Sequence, residues 1–311
     1  MRGCPVRRRR RVMKMLECVP NFSEGRDAET IDRIAGAVAA VAGVKLADIH
    51  RDPDHHRSVF TLLGAPEAVV EAALAAAGVA LERIDMCRHD GVHPCIGAVD
   101  VVPFVPLGDT PMAAAVSAAR EFGGLLGERH AVPVYFYGEA AMHASRRELP
   151  VLRRGGYRGL PDRLADPDGR PDAGPAAYRA ACGAAAVGAR GVLVAFNVNL
   201  RSADLEAARS IARAVRESSG GMKAVRAMGV LLASRNLAQV SMNLTDWRVT
   251  SMREVFARIR DLAAERGIDV LESELVGLTP RGAFGGATAE ELLLVGFSEA
   301  KLIESHLPAG A

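Results

Sequence analysis

The chain has 311 residues, of which 49% are hydrophobic and 24% are charged, a composition typical of a globular protein with one large domain or two ordinary ones. No apolar run approaches the roughly 18 residues needed to cross a bilayer, so we expect no membrane-spanning segment. The net charge is +2, and subtracting the six positive charges of Arg2 and Arg7 to Arg11 leaves −4, so the remainder of the chain is not basic.

The arginine-rich tail, residues 1–14, is predicted to be disordered, and we assign it no function. No aromatic residues interleave its arginines, so neither nucleic acid nor a membrane is an expected partner. No apolar segment follows them, as a secretory signal would require. Translation from Met13 or Met15 is an alternative. The five cysteines include no C-x-x-C pair, which predicts reduced thiols and a cytoplasmic location.

The first half predicts the element order strand, helix, strand, strand, helix, strand, which is the split βαβ or ferredoxin-like plan. Asp27 is placed to cap the first helix, and Pro66 begins the second. Thr110 is expected to cap a third helix before another strand. The predicted strands are residues 16–19, 44–49, 58–63, 98–105 and 132–137. Residues 155–174, rich in proline, glycine and aspartate, predict a long irregular connection.

The second half repeats this order, with predicted strands at residues 191–198, 223–231, 239–244 and 269–276. Ser202 is expected to cap one helix, and a capping box at Ser251 to Glu254 opens the other. The predicted class is therefore α+β, with duplicated ferredoxin-like (split βαβ) subdomains, mixed or antiparallel sheets, and helices on one face. A ligand groove between the halves is expected. The predicted boundaries are a tail at 1–14, subdomains at 15–190 and 191–300, and a tail at 301–311.

The loop at residues 84–97 is the predicted site of chemistry. It has no helical period, glycine and proline interrupt it, and a strand of the core follows it. We centre the chemistry on His93, whose alternative role is a loop histidine bonded to backbone. The loop also carries the pattern C-x-H-x3-H-x-C, which fits no standard zinc finger but leaves a zinc site open. Its members are Cys87, His89, His93 and Cys95, and Cys95 is also an alternative nucleophile.

From Leu16-Glu-Cys-Val-Pro-Asn-Phe-Ser-Glu-Gly25 onward the chain resembles the glutamate formimidoyltransferase family, folate enzymes of histidine breakdown. The likeness runs from Met15 to about Pro280, and no counterpart of the cyclodeaminase domain of some animal members is expected. Its further motifs include Arg57-Ser-Val-Phe-Thr61, His93-Pro94, Asp100-Val-Val-Pro-Phe104, Tyr137-Gly-Glu-Ala-Ala141, Gly174-Pro175, Ala195-Phe-Asn197, Gln239-Val-Ser241 and Asn243-Leu244.

The resemblance implies two ferredoxin-like subdomains, a homodimer and a folate groove between the subdomains. It implies transfer of the formimidoyl group from N-formimidoyl-L-glutamate to N5 of tetrahydrofolate, giving 5-formimidoyltetrahydrofolate and L-glutamate. The family's catalytic histidine matches His93. Tetrahydrofolate is the implied co-substrate, and no metal is expected. The implied folate-binding stretch consists of Gly174, Pro175, Ala176, Ala177, Tyr178, Arg179, Ala180, Ala181, Cys182 and Gly183.

An imidazole suits this reaction because one group titrating near neutrality can remove a proton from the attacking nitrogen and deliver one to the leaving nitrogen. Arg57 is predicted to grip a substrate carboxylate, with a solvated turn charge as the alternative. Asp52 is expected to hydrogen-bond the pterin amines or to cap its own turn, and the same holds for Asp54. Asn199 is expected either in a turn or facing the groove.

Departures from the family pattern leave the donor open. The family usually has Glu-His-Pro-Arg where this chain has Val92-His-Pro-Cys95, and asparagine where this chain has His56. Losing a glutamate and an arginine beside the base can shift its pKa or weaken carboxylate binding. The alternatives are a related folate-dependent formyl or formimidoyl transferase with another donor, a catalytically inactive folate-binding protein, and a zinc protein.

Overall fold

A computed structural model describes residues 14–307, so the predicted arginine-rich tail, apart from Lys14, and residues 308–311 lie outside the described part. The described chain is α+β, as predicted, with two sheets and seven α-helices. The strands are β1 (Met15–Cys18), β2 (Asn21–Phe22), β3 (Val44–Asp52), β4 (Arg57–Gly64), β5 (Val99–Leu107), β6 (Val134–Gly138), β7 (Ala185–Ala189), β8 (Val194–Leu200), β9 (Val225–Leu232), β10 (Leu237–Leu244) and β11 (Val270–Val276). The helices are α1 (Ala28–Ala39), α2 (Pro66–Arg83), α3 (Met112–His130), α4 (Leu149–Leu152), α5 (Leu160–Ala165), α6 (Leu205–Val215) and α7 (Met252–Ala264).

The first sheet has seven strands. Its strand order is β3, β4, β1, β5, β7, β6. The short strand β2 follows β1 along the chain and also pairs with both β4 and β5. Strand β7 pairs in parallel with both β5 and β6, while the other pairs are antiparallel.

The second sheet has four antiparallel strands in the order β11, β8, β10, β9. Helices α6 and α7 follow β8 and β10, which gives the element order β-α-β-β-α-β. Strands β3, β4, β1 and β5 of the first sheet, with α1 and α2, have the corresponding order. This agreement favours the predicted duplication of ferredoxin-like units, which stays a prediction because β6 and β7 extend the first sheet only.

Helices α1, α2 and α3 cover one face of the first sheet, and α6 and α7 cover one face of the second. The short helices α4 and α5 pack on part of the opposite face of the first sheet, against β5, β6 and β7, and the rest of that face turns toward the second sheet. Leu16 and Cys18 of β1 point into the core beneath α1, α2 and α3, whereas Glu17 between them points to the opposite face. In the second sheet Phe196 packs against Phe256 of α7. The uncovered faces meet in a small apolar cluster that contains Leu63, Val105, Leu107, Leu278 and Ile303. This contact leaves a groove alongside it, which holds the candidate site.

Two predicted helix caps are wrong. Thr110 does not cap α3, which begins after Pro111, because its hydroxyl accepts a hydrogen bond from the backbone N–H of Met15. Asp204 caps α6 in place of Ser202. The capping box at Ser251 and Asp27 as the cap of α1 are confirmed. Within residues 14–307, no helix is both long enough and apolar enough to span a membrane.

Candidate active site

His93 lies on the loop between α2 and β5, half-buried at the groove. Its Nε2 is 2.6 Å from Nη1 of Arg57, the first residue of β4. A guanidinium only donates hydrogen bonds, so Nε2 accepts this one, and a neutral ring carries its proton on Nδ1. The sequence predicted both residues as functional, and the structure brings them into direct contact.

The surroundings of His93 keep its imidazole neutral. Burial lowers the pKa of His93 well below its usual 6.5, and the positive charges of Arg57 and Arg153 lower it further. The ring of His55 stacks on that of His93 with centroids 5.7 Å apart. A neutral imidazole is able to accept a proton at Nε2 once Arg57 turns to another partner.

The His93 loop is held from several sides. Asp100 on β5 accepts a hydrogen bond from the backbone N–H of Ile96 at 2.9 Å and pairs with Arg153. The hydroxyl of Ser23 donates to the carbonyl of Gly97 at 2.8 Å. A Cβ at Gly97 would lie 2.3 Å from the carbonyl oxygen of Ala184, so only glycine fits there. The loop therefore has little freedom where it precedes β5.

The groove between the facing sheets is deep enough for a small molecule. Its main cavity has a volume of about 410 Å³, and adjoining cavities of about 120 and 350 Å³ share Leu149 and Asn243 with it. The first half of the chain contributes Arg57 and His93 to the main cavity. The second half contributes several polar side chains, namely Asn197, Arg226, Ser241 and Asn243.

Charged side chains give the groove a preference for anions. Arg57, Arg153, Arg190 and Arg226 line its cavities, and Arg153 and Arg226 are paired with carboxylates of the chain. Glu17 is the buried acidic group among them. Guanidinium groups bind carboxylates with two parallel hydrogen bonds, so this groove suits a ligand with several carboxylates.

Three of the predicted polar site residues, Asp52, Asp54 and Asn199, form hydrogen bonds with other residues of the protein. Oδ1 of Asp52 accepts the backbone N–H groups of Asp54 and His55, both at 2.8 Å, which is the turn-capping alternative. Asp54 binds Ser234 with both carboxylate oxygens. Asn199 is fully buried, and its side-chain amide donates a hydrogen bond to Glu272 and accepts one from Gln239.

The predicted folate-binding stretch, Gly174 to Gly183, lies beside the His93 loop. The backbone N–H of Met86 donates to the carbonyl of Ala181 at 2.9 Å, and the Tyr178 ring lies 6.1 Å from that of Tyr157. Among the described residues that line the three cavities of the groove, none comes from this stretch. Its role in folate binding therefore stays a prediction.

The cysteine and histidine pattern does not form a zinc site within residues 14–307, since no three of its ligand atoms lie within 4.8 Å of one another. Cys87 is exposed, and burial raises the pKa of Cys95 to about 11, which makes Cys95 a poor nucleophile. The ligand atoms that do come together belong to His50, Asp52 and Glu274. One oxygen of Glu274 already accepts hydrogen bonds from Asn197 and Gln239.

Three residues that line the groove, Glu17, Arg153 and Arg190, were not predicted from the sequence. Glu17 had a detectable signal, because a lone carboxylate between Leu16 and Cys18 interrupts an apolar strand. Arg153 follows α4 and Arg190 follows β7, and the folding of the first half brings these two distant residues to the groove, which no local pattern indicates.

Comparison with known proteins gives matches along most of the chain. Residues 15–190 match the family model described as the formiminotransferase domain, N-terminal subdomain, and residues 195–291 match the formiminotransferase domain. A glutamate formimidoyltransferase of Thermoplasma acidophilum is 41% identical over 301 residues, covering 96% of this chain and 99% of the relative. Another, of Streptococcus pyogenes serotype M1, is 38% identical over 295 residues, covering 94% and 99%.

A longer relative also matches. The formimidoyltransferase-cyclodeaminase of Sus scrofa is 46% identical over 282 residues, covering 89% of this chain and 52% of the relative. Among solved structures, a microcompartment protein of Desulfitobacterium hafniense aligns with 84% of this chain and 93% of its own, at 11% identity and a TM-score of 0.21. That score is too low to support any conclusion.

Proposed function

The chain belongs to the formiminotransferase domain family, and from this we propose that it transfers the formimidoyl group of N-formimidoyl-L-glutamate to N5 of tetrahydrofolate. The products are 5-formimidoyltetrahydrofolate and L-glutamate. The observation that carries the proposal is the contact of His93 with Arg57 at an arginine-lined groove between two sheets.

In this proposal the side chains of the groove have separate roles in binding and in proton transfer. Arg57 turns from His93 to a carboxylate of the donor, because a guanidinium binds a carboxylate more strongly than a neutral imidazole. This movement frees Nε2 of His93, which takes the proton from N5 as that nitrogen attacks the formimidoyl carbon. The polar face of the second sheet, with Asn197, Ser241 and Asn243, offers amide and hydroxyl groups to the heterocycle.

Finer features belong to the same proposal. Tetrahydrofolate is the co-substrate, Gly174 to Gly183 contributes to its binding, and no metal takes part. The family resemblance implies a homodimer, and cysteines without a C-x-x-C pair favour a cytoplasmic location. Sedimentation equilibrium of the full chain tests the dimer, and a monomer at micromolar concentration would remove that feature alone.

The test is an assay with purified full-length protein, formimidoylglutamate and tetrahydrofolate, following 5-formimidoyltetrahydrofolate. We expect turnover by the wild type and a fall in kcat of about 10²- to 10⁴-fold in His93→Ala, the usual range for a general base. His130→Ala, at the end of α3, is the matched control and should keep full activity. No turnover by the wild type, or full turnover by His93→Ala, would contradict the proposal.

A different donor is the second candidate, because Val92 and Cys95 stand where the family usually has glutamate and arginine. Competing 5-formyltetrahydrofolate or formimidoylglycine against formimidoylglutamate in the same assay separates the two. Preference for formimidoylglutamate in kcat/KM excludes this candidate.

A further inference from the structure

Glu17 occupies an unusual place for a carboxylate. It lies on β1, a central strand of the first sheet. On either side it is paired in register with Leu63 of β4 and Val105 of β5. Only 4% of the residue is exposed. Its neighbours Leu16 and Cys18 face the helix-covered core, so its carboxylate faces the groove.

The cavity in front of Glu17 also reaches the catalytic pair. It has a volume of about 120 Å³ and is lined by Glu17, Thr61, Arg57 and His93. The charged and titratable groups that line it with Glu17 are Arg57, His93, Tyr137, Arg153 and Arg190. In the described part of the chain, burial and the charge of Arg190 act on the Glu17 carboxyl group and no hydrogen bond to it contributes, while the buried hydroxyl oxygen of Thr61 has no partner.

Two unpartnered polar groups at the same cavity favour a ligand there. An unpaired buried carboxylate costs stability, and such groups concentrate at functional sites. Burial raises the pKa of Glu17 to about 7, with Arg190 opposing the shift. His93 shifts the other way, so at neutral pH the groove holds a neutral imidazole and a carboxyl group that is partly protonated.

We infer that Glu17 is the acid of this reaction, and that it protonates the nitrogen of the departing glutamate while His93 takes the proton of N5. The inference rests on the proposed function. The reaction needs one proton removed and one delivered. Because the pKa of His93 is low, its imidazole is rarely protonated at neutral pH and is not well suited to donate a proton to the leaving nitrogen. A second group that titrates near neutrality can donate this proton instead.

The steps balance. N5 of tetrahydrofolate forms a bond to the carbon of the protonated formimidoyl group, and the N5 proton passes to Nε2 of His93. The carboxyl group of Glu17 then gives its proton to the glutamyl nitrogen, the bond from carbon to that nitrogen breaks, and glutamate leaves with the electron pair on its amine. The proton on His93 returns to Glu17 through solvent, so no oxidant or reductant is involved.

The test compares the wild type with Glu17→Gln, Glu17→Asp and the matched control Glu82→Gln, an exposed residue near the end of α2. For the wild type and Glu82→Gln, we expect kcat to fall as pH rises through about 7, because the acid is lost. For Glu17→Gln, we expect kcat to be lower by about 10²- to 10⁴-fold at pH 6.5, a KM within about threefold, and no such limb. Glu17→Asp keeps an acid and should keep the limb at intermediate kcat.

The outcomes distinguish the two proposals. If the wild type makes 5-formimidoyltetrahydrofolate while Glu17→Gln keeps its kcat and pH limb, the assignment of Glu17 is overturned and the proposed function stands. A loss of kcat in both Glu17 variants with the wild-type limb retained would show a structural role and overturn it too. No turnover by the wild type removes the proposed function, and the inference with it. Circular dichroism of each variant shows that it is folded.

Discussion

At the scale of the residue, the contact of Arg57 with His93 controls the proposed base. The guanidinium occupies the lone pair of Nε2 and adds a positive charge next to the ring, and both effects oppose protonation. The Nε atom of Arg57 is buried without a partner, so the side chain has donors left for a carboxylate. A donor carboxylate would therefore bind Arg57 and release the base in one event.

Arg57→Ala is expected to raise the pKa of His93 and to weaken donor binding. Removing the charge and the hydrogen bond favours the protonated ring, while burial still keeps the pKa below 6.5. NMR titration of the His93 ring measures the shift, and steady-state kinetics measure the KM of the donor, which we expect to rise about tenfold or more. Arg51→Ala, an exposed residue of β3, is the control. An unchanged His93 pKa would contradict the role given to Arg57.

The sequence predicted some of the residues that line this site, but not which polar side chains face the groove. His93 and Arg57 were predicted chiefly because His93-Pro94 and Arg57-Ser-Val-Phe-Thr61 resemble motifs of the family, and the contact between the two side chains supports roles that stay predictions. Asp54 and Asn199 have the same polar character, yet their hydrogen-bonding groups bind Ser234 and Gln239 within the fold. Whether a polar atom faces a ligand or a neighbour depends on packing between residues far apart in the chain, which spacing alone does not give.

At the scale of the element, strand β7 shows where periodicity fails. Its sequence, Ala185-Ala-Val-Gly-Ala189, has a single β-branched residue, so propensity does not favour a strand. Both neighbours β5 and β6 pair with it in parallel, and its small side chains let the aromatic ring of Tyr137 lie against Gly188. A run of mostly apolar residues made β4 predictable and a capping box made α7 predictable, whereas β7 is determined by tertiary contacts.

Gly97→Ala tests how the start of β5 holds the His93 loop. A Cβ there would lie 2.3 Å from the Ala184 carbonyl oxygen and 2.6 Å from that of Cys182, so backbone must move. We expect a loss of about 2 kcal/mol or more in the free energy of unfolding, measured with urea, together with lower kcat. Gly36→Ala in α1 meets no atom within 4 Å and should stabilise the protein by about 0.5–1 kcal/mol. Equal stability of the two variants would contradict this account.

At the scale of the whole molecule, the site depends on how the two halves face each other. The helix order predicted that each sheet is covered on one side, and hence a groove between the halves. The contacts that fix the distance between them involve residues that no pattern singles out. Lys301, within the segment predicted as a tail, reaches Asp48 of β3 at 2.7 Å, and Ile303 is buried against Leu63. Residues 301–307 thus help to set the groove.

The bridge between Asp54 and Ser234 offers a test of this dependence. Asp54 follows Asp52 in the turn before Arg57, and Ser234 follows β9 in the second half. Oδ1 of Asp54 accepts the backbone N–H of Ser234 at 2.9 Å, and Oδ2 accepts its hydroxyl at 2.6 Å. Ser234 is exposed and Asp54 is half-buried, so the bridge should contribute only about 1 kcal/mol to stability, yet it ties the turn that holds Arg57 to the opposite sheet.

Asp54→Ala is therefore expected to raise the KM of the donor severalfold while kcat changes little, because the loosened turn weakens the grip of Arg57 without removing the base. Ser234→Ala breaks only the hydroxyl bond and should have a smaller effect. In a double-mutant cycle, Asp54→Ala with Ser234→Ala should show coupling in both KM and urea stability, since the serine has little to lose once the carboxylate is gone. Strictly additive effects would mean that the two side chains act independently, and that the width of the groove is set by the apolar contacts of Leu278 and Ile303 alone.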